Sequence, residues 1–309
     1  MRPDIYICSK PLQYFNVRNM DSLSVPARRI LVFLGTFIDA EAFVRKVRAY
    51  DTSWNDILYF ENYFQLDRYL FFHPANRLFV ECDASFMYGI FSKLGRFREM
   101  YMFEEGFGSY RRDRFDQSTG LKAWINRRTG VGRHIGFSSF LSGQYLYLPD
   151  LYRRQFPGYT KELRPFSKPF LVRLSEELPL FLKYSTGYED LLHIKGKRIG
   201  IYLTNHKINA SILEALEKER DKFDYLYVKP HPHIRVENES SLHGLRVIRT
   251  NLMVEFVLSL LLDNGNQLTV YHENSTSVIW FQNHVVCKNW GKPFEEYDIV
   301  ASYIRERGL

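Results

Sequence analysis

Three short stretches hold side chains that can move a proton or hold an anion. Glu104-Glu105-Gly106 follows the apolar run EMYMF, Glu99 to Phe103. Neighbouring residues of an extended chain point to opposite sides, so one carboxylate faces a crevice and the other faces structure. A carboxylate partly withdrawn from water holds its proton more tightly, which suits a general base. Gly106 permits the sharp turn that follows. Lys229-Pro230-His231-Pro232-His233 follows a second apolar run, YLYV, Tyr225 to Val228. The prolines stiffen the turn. Imidazole is the usual acid near neutral pH, and a phosphate beside it favours its charged form. Lys229 adds positive charge. Ser275-Thr276-Ser277 follows QLTVY, Gln267 to Tyr271, and opens a helix-compatible run. Hydroxyls with free backbone N–H groups at a helix start bind anions. Plainer readings stand beside these: the glutamates as an acidic loop and one hydroxyl as an N-cap, while a second His-Pro, His73-Pro74, reads as a helix stop and shows that His-Pro alone is a weak signal.

Other chemistries lack their residues. There is no G-x-x-x-x-G-K-[ST], no G-x-G-x-x-G, no G-x-S-x-G and no Asp-x-Asp. P-loop, dinucleotide and nucleophile-elbow sites therefore drop out, as does the commonest metal–nucleotide-sugar arrangement. His231 and His233 have no third ligand at zinc spacing. The three cysteines, Cys8, Cys82 and Cys287, are far apart and odd in number. They give no disulfide framework and point to a reducing, cytoplasmic setting.

The elements that must position these residues read as two αβ series. RILVFL (29–34), DILYF (56–60), RLFVE (77–81) and EMYMF (99–103) are strands, alternating with helical stretches at 40–50, 62–72 and 85–94. The stretch 109–169 is irregular, with helices and loops expected around 120–132 and 139–154. Alternation restarts with KRIGIYL (197–203), a helix over 209–220, YLYV, a short strand over 245–248, a helix over 253–262 and QLTVY. Repeated strand–helix units imply parallel sheets covered by helices. The expected organisation is an N-terminal Rossmann-like domain over 1–165, a linker over 166–195 and a C-terminal Rossmann-like domain over 196–309, with a cleft between the domains. Ligands in such sheets bind beyond the carboxyl ends of the strands, where all three motifs fall.

Composition narrows the partners. The chain has 309 residues, 45% hydrophobic and 25% charged, which excludes disorder and a membrane bundle. A net charge of +7 fits an anionic substrate, a membrane surface or nucleic acid. The aromatic content of 16% belongs mostly to the core.

Taken in order, the motifs resemble those of bacterial CMP-sialic-acid-dependent sialyltransferases of the GT-B fold, the lipooligosaccharide sialyltransferases and capsule polysialyltransferases above all. Glu104-Glu105-Gly106 matches that group's acidic-acidic-Gly motif, His231-Pro232 its His-Pro motif and Ser275-Thr276 its paired hydroxyls. The opening ICSKPLQ, ending at Gln13, is similar to its first strand and turn. Glu255 resembles the glutamate that holds the donor ribose, although the proline often found before it is missing. Leu203-Thr204-Asn205 resembles the donor-facing loop.

The resemblance implies an inverting, metal-independent transfer of sialic acid, or a related nonulosonate, from CMP-sugar to a surface-glycan hydroxyl. Glu105 is then the base, with Glu104 beside it, and His231 assists the departing CMP. Ser275, Thr276, Glu255, Pro232, Lys229, Asn205 and Gln13 make up the donor set. No cofactor beyond the CMP-sugar substrate, and no nucleic acid, is expected. The acceptor is a lipid-linked or surface glycan. Arg111, Arg112 and Arg114 face an anionic acceptor on this view. Arg127, Arg128, Arg153 and Arg154 touch anionic lipid at the inner face of the cytoplasmic membrane. Alternatives are a CMP-Kdo transferase, an enzyme like the non-hydrolysing nucleotide-sugar epimerases, and a non-catalytic binder of anionic glycan or nucleic acid.

Overall fold

The computed structural model describes residues 2–24, 27–112, 118–205, 208–231, 245–292 and 294–309. The chain divides into two compact α/β units, Met1–Pro169 and Phe170–Leu309. Each is built on a parallel sheet, giving the two Rossmann-like units of a GT-B-like architecture.

The first unit runs β1 (Asp4–Cys8), α1 (Pro11–Arg18), β2 (Arg29–Leu34), α2 (Ala40–Tyr50), β3 (Asp56–Phe60), α3 (Tyr63–Phe72), β4 (Arg77–Val80), α4 (Phe86–Lys93), β5 (Glu99–Phe103), α5 (Gly120–Thr129), β6 (Gly143–Leu146), α6 (Pro149–Gln155) and β7 (Glu162–Pro165). Its strands lie in the order β3-β2-β1-β4-β5-β6-β7. Strand order reverses between β1 and β4, which opens a crevice at their carboxyl ends. Alternate residues divide the two faces. Ile5, Ile7, Val32, Val80, Met100 and Met102 pack under Leu66 and Leu70 of α3 and Tyr88 and Phe91 of α4. On the opposite face Tyr6 stacks on Phe79 at 4.3 Å, and Tyr14 of α1 and Phe43 of α2 pack against Phe33.

Caps set the helix boundaries. Asn62 and Ser85 accept from the first-turn N–H groups of α3 and α4. His73 ends α3 and stacks on Tyr69 at 4.3 Å, so this His-Pro is the helix stop that the sequence suggests. The irregular stretch differs from expectation: residues 139–154 hold the strand β6 as well as α6, and β7 follows. GQYL and ELRP are too short to show alternation, and Pro165 is tolerated because β7 is an edge strand.

The second unit runs α7 (Phe170–Tyr184), β8 (Arg198–Leu203), α8 (Ala210–Lys218), β9 (Tyr225–Lys229), β10 (Arg246–Val247), α9 (Val254–Asp263), β11 (Gln267–His272), β12 (Val286–Asn289) and α10 (Glu295–Arg307). Its sheet order is β10-β9-β8-β11-β12, with reversal between β8 and β11. The segment 166–195 contains α7, whose Phe170, Leu174, Leu178 and Phe181 are buried at helical spacing despite Pro179. Phe181 stacks on Phe256 of α9 at 4.4 Å and Phe170 on Trp280 at 4.9 Å. Pro179 hides this helix from a sequence reading because it removes one N–H and reads as a breaker.

Candidate functional site

In the second unit the carboxyl edge of the sheet gathers most of the expected donor residues. Thr204, just after β8, accepts at its hydroxyl from the backbone N–H of His231, 2.8 Å away. Its own N–H donates to the Lys229 carbonyl at 3.2 Å. The turns after β8 and β9 are thus locked together, which fixes the backbone that carries the imidazole. Lys229 is buried, and its Nζ donates to the Thr250 carbonyl at 2.9 Å. Burial lowers its pKa to about 8, opposed by the charge of Glu255. Glu255, in the first turn of α9, is also buried; burial raises its pKa, while a hydrogen bond to Ser277 and the charge of Lys229 oppose. The Glu255–Ser277 bond ties α9 to the hydroxyl-bearing loop.

Ser275, Thr276 and Ser277 are half-buried. The expected α-helix start is instead a six-residue 3-10 turn, Thr276–Phe281. Val278, Ile279, Trp280 and Phe281 are all buried, and β-branched residues in this run disfavour an α-helix. The hydroxyls therefore stand without the α-helix N-terminus that the sequence suggested. Asn274 sits at φ 52° and is strapped to the end of β12: its N–H donates to Asn289 Oδ1 at 3.0 Å. Asn205 is exposed after β8. Pro232 and His233 lie outside the described residues.

His272, the last residue of β11, lies in none of the three motifs. It is fully buried, and its Nδ1 accepts from the Ser275 N–H at 3.2 Å. Nε2 has no partner among the described residues. Burial lowers its pKa to about 4, so the ring is neutral at pH 7 and shapes the hydroxyl loop. Its position at a strand end is the signal that could have found it.

In the first unit the two adjacent carboxylates diverge. Glu104 is buried; its Oε2 accepts from the Tyr110 hydroxyl and from the Tyr147 N–H at 2.9 Å. Its carbonyl accepts from Asn16 Nδ2 at 2.7 Å. Burial raises its pKa to about 8, opposed by the Tyr110 and Tyr147 hydrogen bonds. Glu105 is partly exposed and ion-paired with Lys10, just after β1. Gly106, at φ 114°, makes the turn that an L side chain would strain.

Gln13 belongs to this unit, whereas the other expected donor residues belong in sequence to the second. It is buried on α1, and its Oε1 accepts from the Ser9 N–H and, at 3.0 Å, from the Ser9 hydroxyl. Glu81, which likewise lies in no motif, follows β4 immediately at the β1/β4 reversal. It is buried, with Oε2 unpartnered among the described residues. Burial raises its pKa to about 7; the charge of Glu105 adds, and Ser9 and Lys10 oppose. The strand RLFVE ends in a carboxylate as EMYMF leads into one, which was the available clue. Nearby Asp83 instead caps the loop at Gly136 and Ser138 at 2.9 and 3.0 Å. Arg111 and Arg112 follow the acidic turn, and Arg114 lies outside the described residues. Among the described residues no group of three or more His, Cys, Asp or Glu side chains is placed to hold a metal ion.

No protein-family model matches the sequence. No curated protein matches it either. Among solved structures, the chain is similar to UDP-N-acetylglucosamine 2-epimerase from Rickettsia bellii, with a TM-score of 0.55 and 14% identity over 93% of this chain and 78% of that one. At that identity the likeness is one of fold.

Proposed function

We propose that the chain is an inverting, metal-independent glycosyltransferase that moves sialic acid, or a related nonulosonate, from a CMP-sugar to a glycan hydroxyl. The observation that carries this reading is at the carboxyl edge of the five-stranded sheet. There the His231 turn, the Lys229–Glu255 pair and the Ser275–Ser277 hydroxyls are linked by hydrogen bonds and charge.

In the reaction, the acceptor oxygen bonds to the anomeric carbon as the bond to the CMP phosphate breaks. The electron pair leaves with CMP, and the acceptor proton passes to Glu105. His231 donates a hydrogen bond or proton to the departing phosphate, which Ser275 and Thr276 hold. Glu255 accepts from ribose hydroxyls. Lys229 holds the Thr250 segment and contributes positive charge. Glu104 braces the strand end that presents Glu105.

A second reading is favoured by the fold likeness: a sugar-nucleotide epimerase, drawing its acid and base from the buried carboxyls of Glu81 and Glu104. Incubation with CMP-sialic acid plus glycan acceptors, and separately with UDP-N-acetylglucosamine, divides the two. Acceptor-dependent CMP release supports the transferase. An epimerised UDP-sugar overturns it in favour of the second reading. Preferential use of CMP-Kdo moves the donor to that sugar.

A further inference from the structure

We propose that the outer face of helices α3, α4 and α5 is a docking surface for a bilayer bearing anionic lipid. Among the described residues, eight of the thirteen exposed large hydrophobic side chains lie on these helices or at their ends. Phe64, Phe71 and Phe72 belong to α3, Leu94 caps α4, and Leu121 and Trp124 belong to α5; their exposures run from 42% to 76%. Soluble proteins rarely expose apolar side chains in such a concentration without a partner.

The face is continuous. Phe72 meets Phe71 edge-on at 5.1 Å, and the Arg96 guanidinium lies 5.4 Å over Phe71. Three residues before Arg96, at the end of α4, Lys93 donates its Nζ to the Arg128 carbonyl. Arg128 in turn lies 5.7 Å over Trp124. Gly89 allows this close approach, since a Cβ there would stand 2.0 Å from the Thr129 carbonyl oxygen.

Charge chooses the occupant. Arg68, Lys93, Arg96, Lys122, Arg127 and Arg128 sit among the apolar groups, whereas α3 has one acid, the half-buried Asp67, and α4 and α5 have none. Aromatic rings seat at the lipid–water boundary, and long basic side chains reach the anionic headgroups beside them. A second copy fits poorly, because self-pairing would bring the same cations together. A nucleic acid fits poorly as well: Phe71 and Trp124 already carry guanidinium groups over their rings, and Leu94 and Leu121 offer nothing to stack on. Arg127 and Arg128 thus belong to the surface, whereas Arg153 and Arg154 lie on α6, away from these helices in the chain.

The test is co-sedimentation of the full chain with phosphatidylcholine vesicles, with and without phosphatidylglycerol. Binding is expected only with phosphatidylglycerol and should weaken as salt rises. Phe72→Ser with Leu121→Ser, and separately Lys122→Gln with Arg127→Gln, should each lower partitioning about tenfold or more. Val172→Ser, at an exposed apolar position on α7, should not. A reading independent of those variants comes from brominated lipid, which should quench Trp124 in a Trp290→Phe background. Two results overturn the proposal: binding without Trp124 quenching, or no binding to anionic vesicles, in which case a dimer or RNA complex that the same substitutions abolish would name the other occupant.

Discussion

At the scale of single residues, adjacent glutamates have been given different work by their surroundings. Glu104 is buried against Tyr110 and Tyr147, and Glu105 is partly exposed and paired with Lys10. Glu105→Gln keeps the shape but cannot accept a proton, so transfer should fall about 10²-fold or more while CMP still binds. Glu104→Gln should be milder in activity and visible in stability. Its acid pKa is about 8 in the folded chain against an ordinary 4.5. The folded chain therefore holds this proton more tightly than the unfolded chain. Its stabilising contribution is complete below pH 4.5 and is lost as pH rises through about 8. Urea midpoints from pH 5 to 9 should show the parent losing on the order of 1 kcal/mol or more, and Glu104→Gln a shallower slope. Glu81 shifts in the same direction, so some slope remains in the variant. Equal slopes would remove Glu104 as its source. His231→Ala should lower kcat far more than it weakens CMP binding, because its assigned role is in the transition state. Matched losses in the two would make His231 a binding group instead.

At the scale of elements, backbone approach decides what is tolerated. Gly89 of α4 faces the Thr129 carbonyl of α5 so closely that Gly89→Ala must push the helices apart. Thermal or urea unfolding should show a loss of about 1–3 kcal/mol, the usual cost of overpacking. An unchanged midpoint would mean that the helices separate without cost. The long apolar strands were legible because buried parallel strands appear as continuous apolar runs: RILVFL and DILYF begin and end as read. Caps such as Asn62 and Ser85 made the helix starts legible to within a residue. What escaped lacked such signals. β6 and β7 are four residues each, and α7 carries Pro179. The site was legible in the same uneven way. Motifs marked the turns after β5, β9 and β11, but Glu81 and His272 lie in no motif, and only the sheet order shows that their strands flank a reversal. The hydroxyl run is plain in the sequence, but the element after it is a 3-10 turn and not the expected α-helix, because burial of Val278 to Phe281 outweighs local helix signals.

At the scale of the whole molecule, one plan is used twice: a parallel sheet whose strand order reverses beside its central strand, with polar residues at the carboxyl edge. The proposed site residues divide unequally between the two units. Lys229, His231, Glu255, Ser275 and Thr276 belong to the second unit, and Gln13 and the paired glutamates to the first. CMP binding should therefore respond by unit. At a hundredfold excess over Kd, CMP should stabilise the parent by about 2.7 kcal/mol without added metal. Replacing Ser275 and Thr276 together by Ala removes hydrogen bonds to a charged phosphate. The affinity loss should be about tenfold or more. At the same CMP concentration, a tenfold loss leaves about 1.4 kcal/mol of stabilisation. Glu105→Gln should retain the full value, since the base is assigned to the acceptor and not to the nucleotide. Gln13→Ala decides the remaining member. Its buried Oε1 is already held by Ser9, so its loss should cost fold stability and leave the CMP increment nearly intact. A CMP increment lost in Gln13→Ala but kept in the Ser275/Thr276 variant would reverse this division and place nucleotide recognition in the first unit. Stabilisation by UDP equal to that by CMP would instead overturn the proposed donor class while leaving the assignment of residues to units untouched.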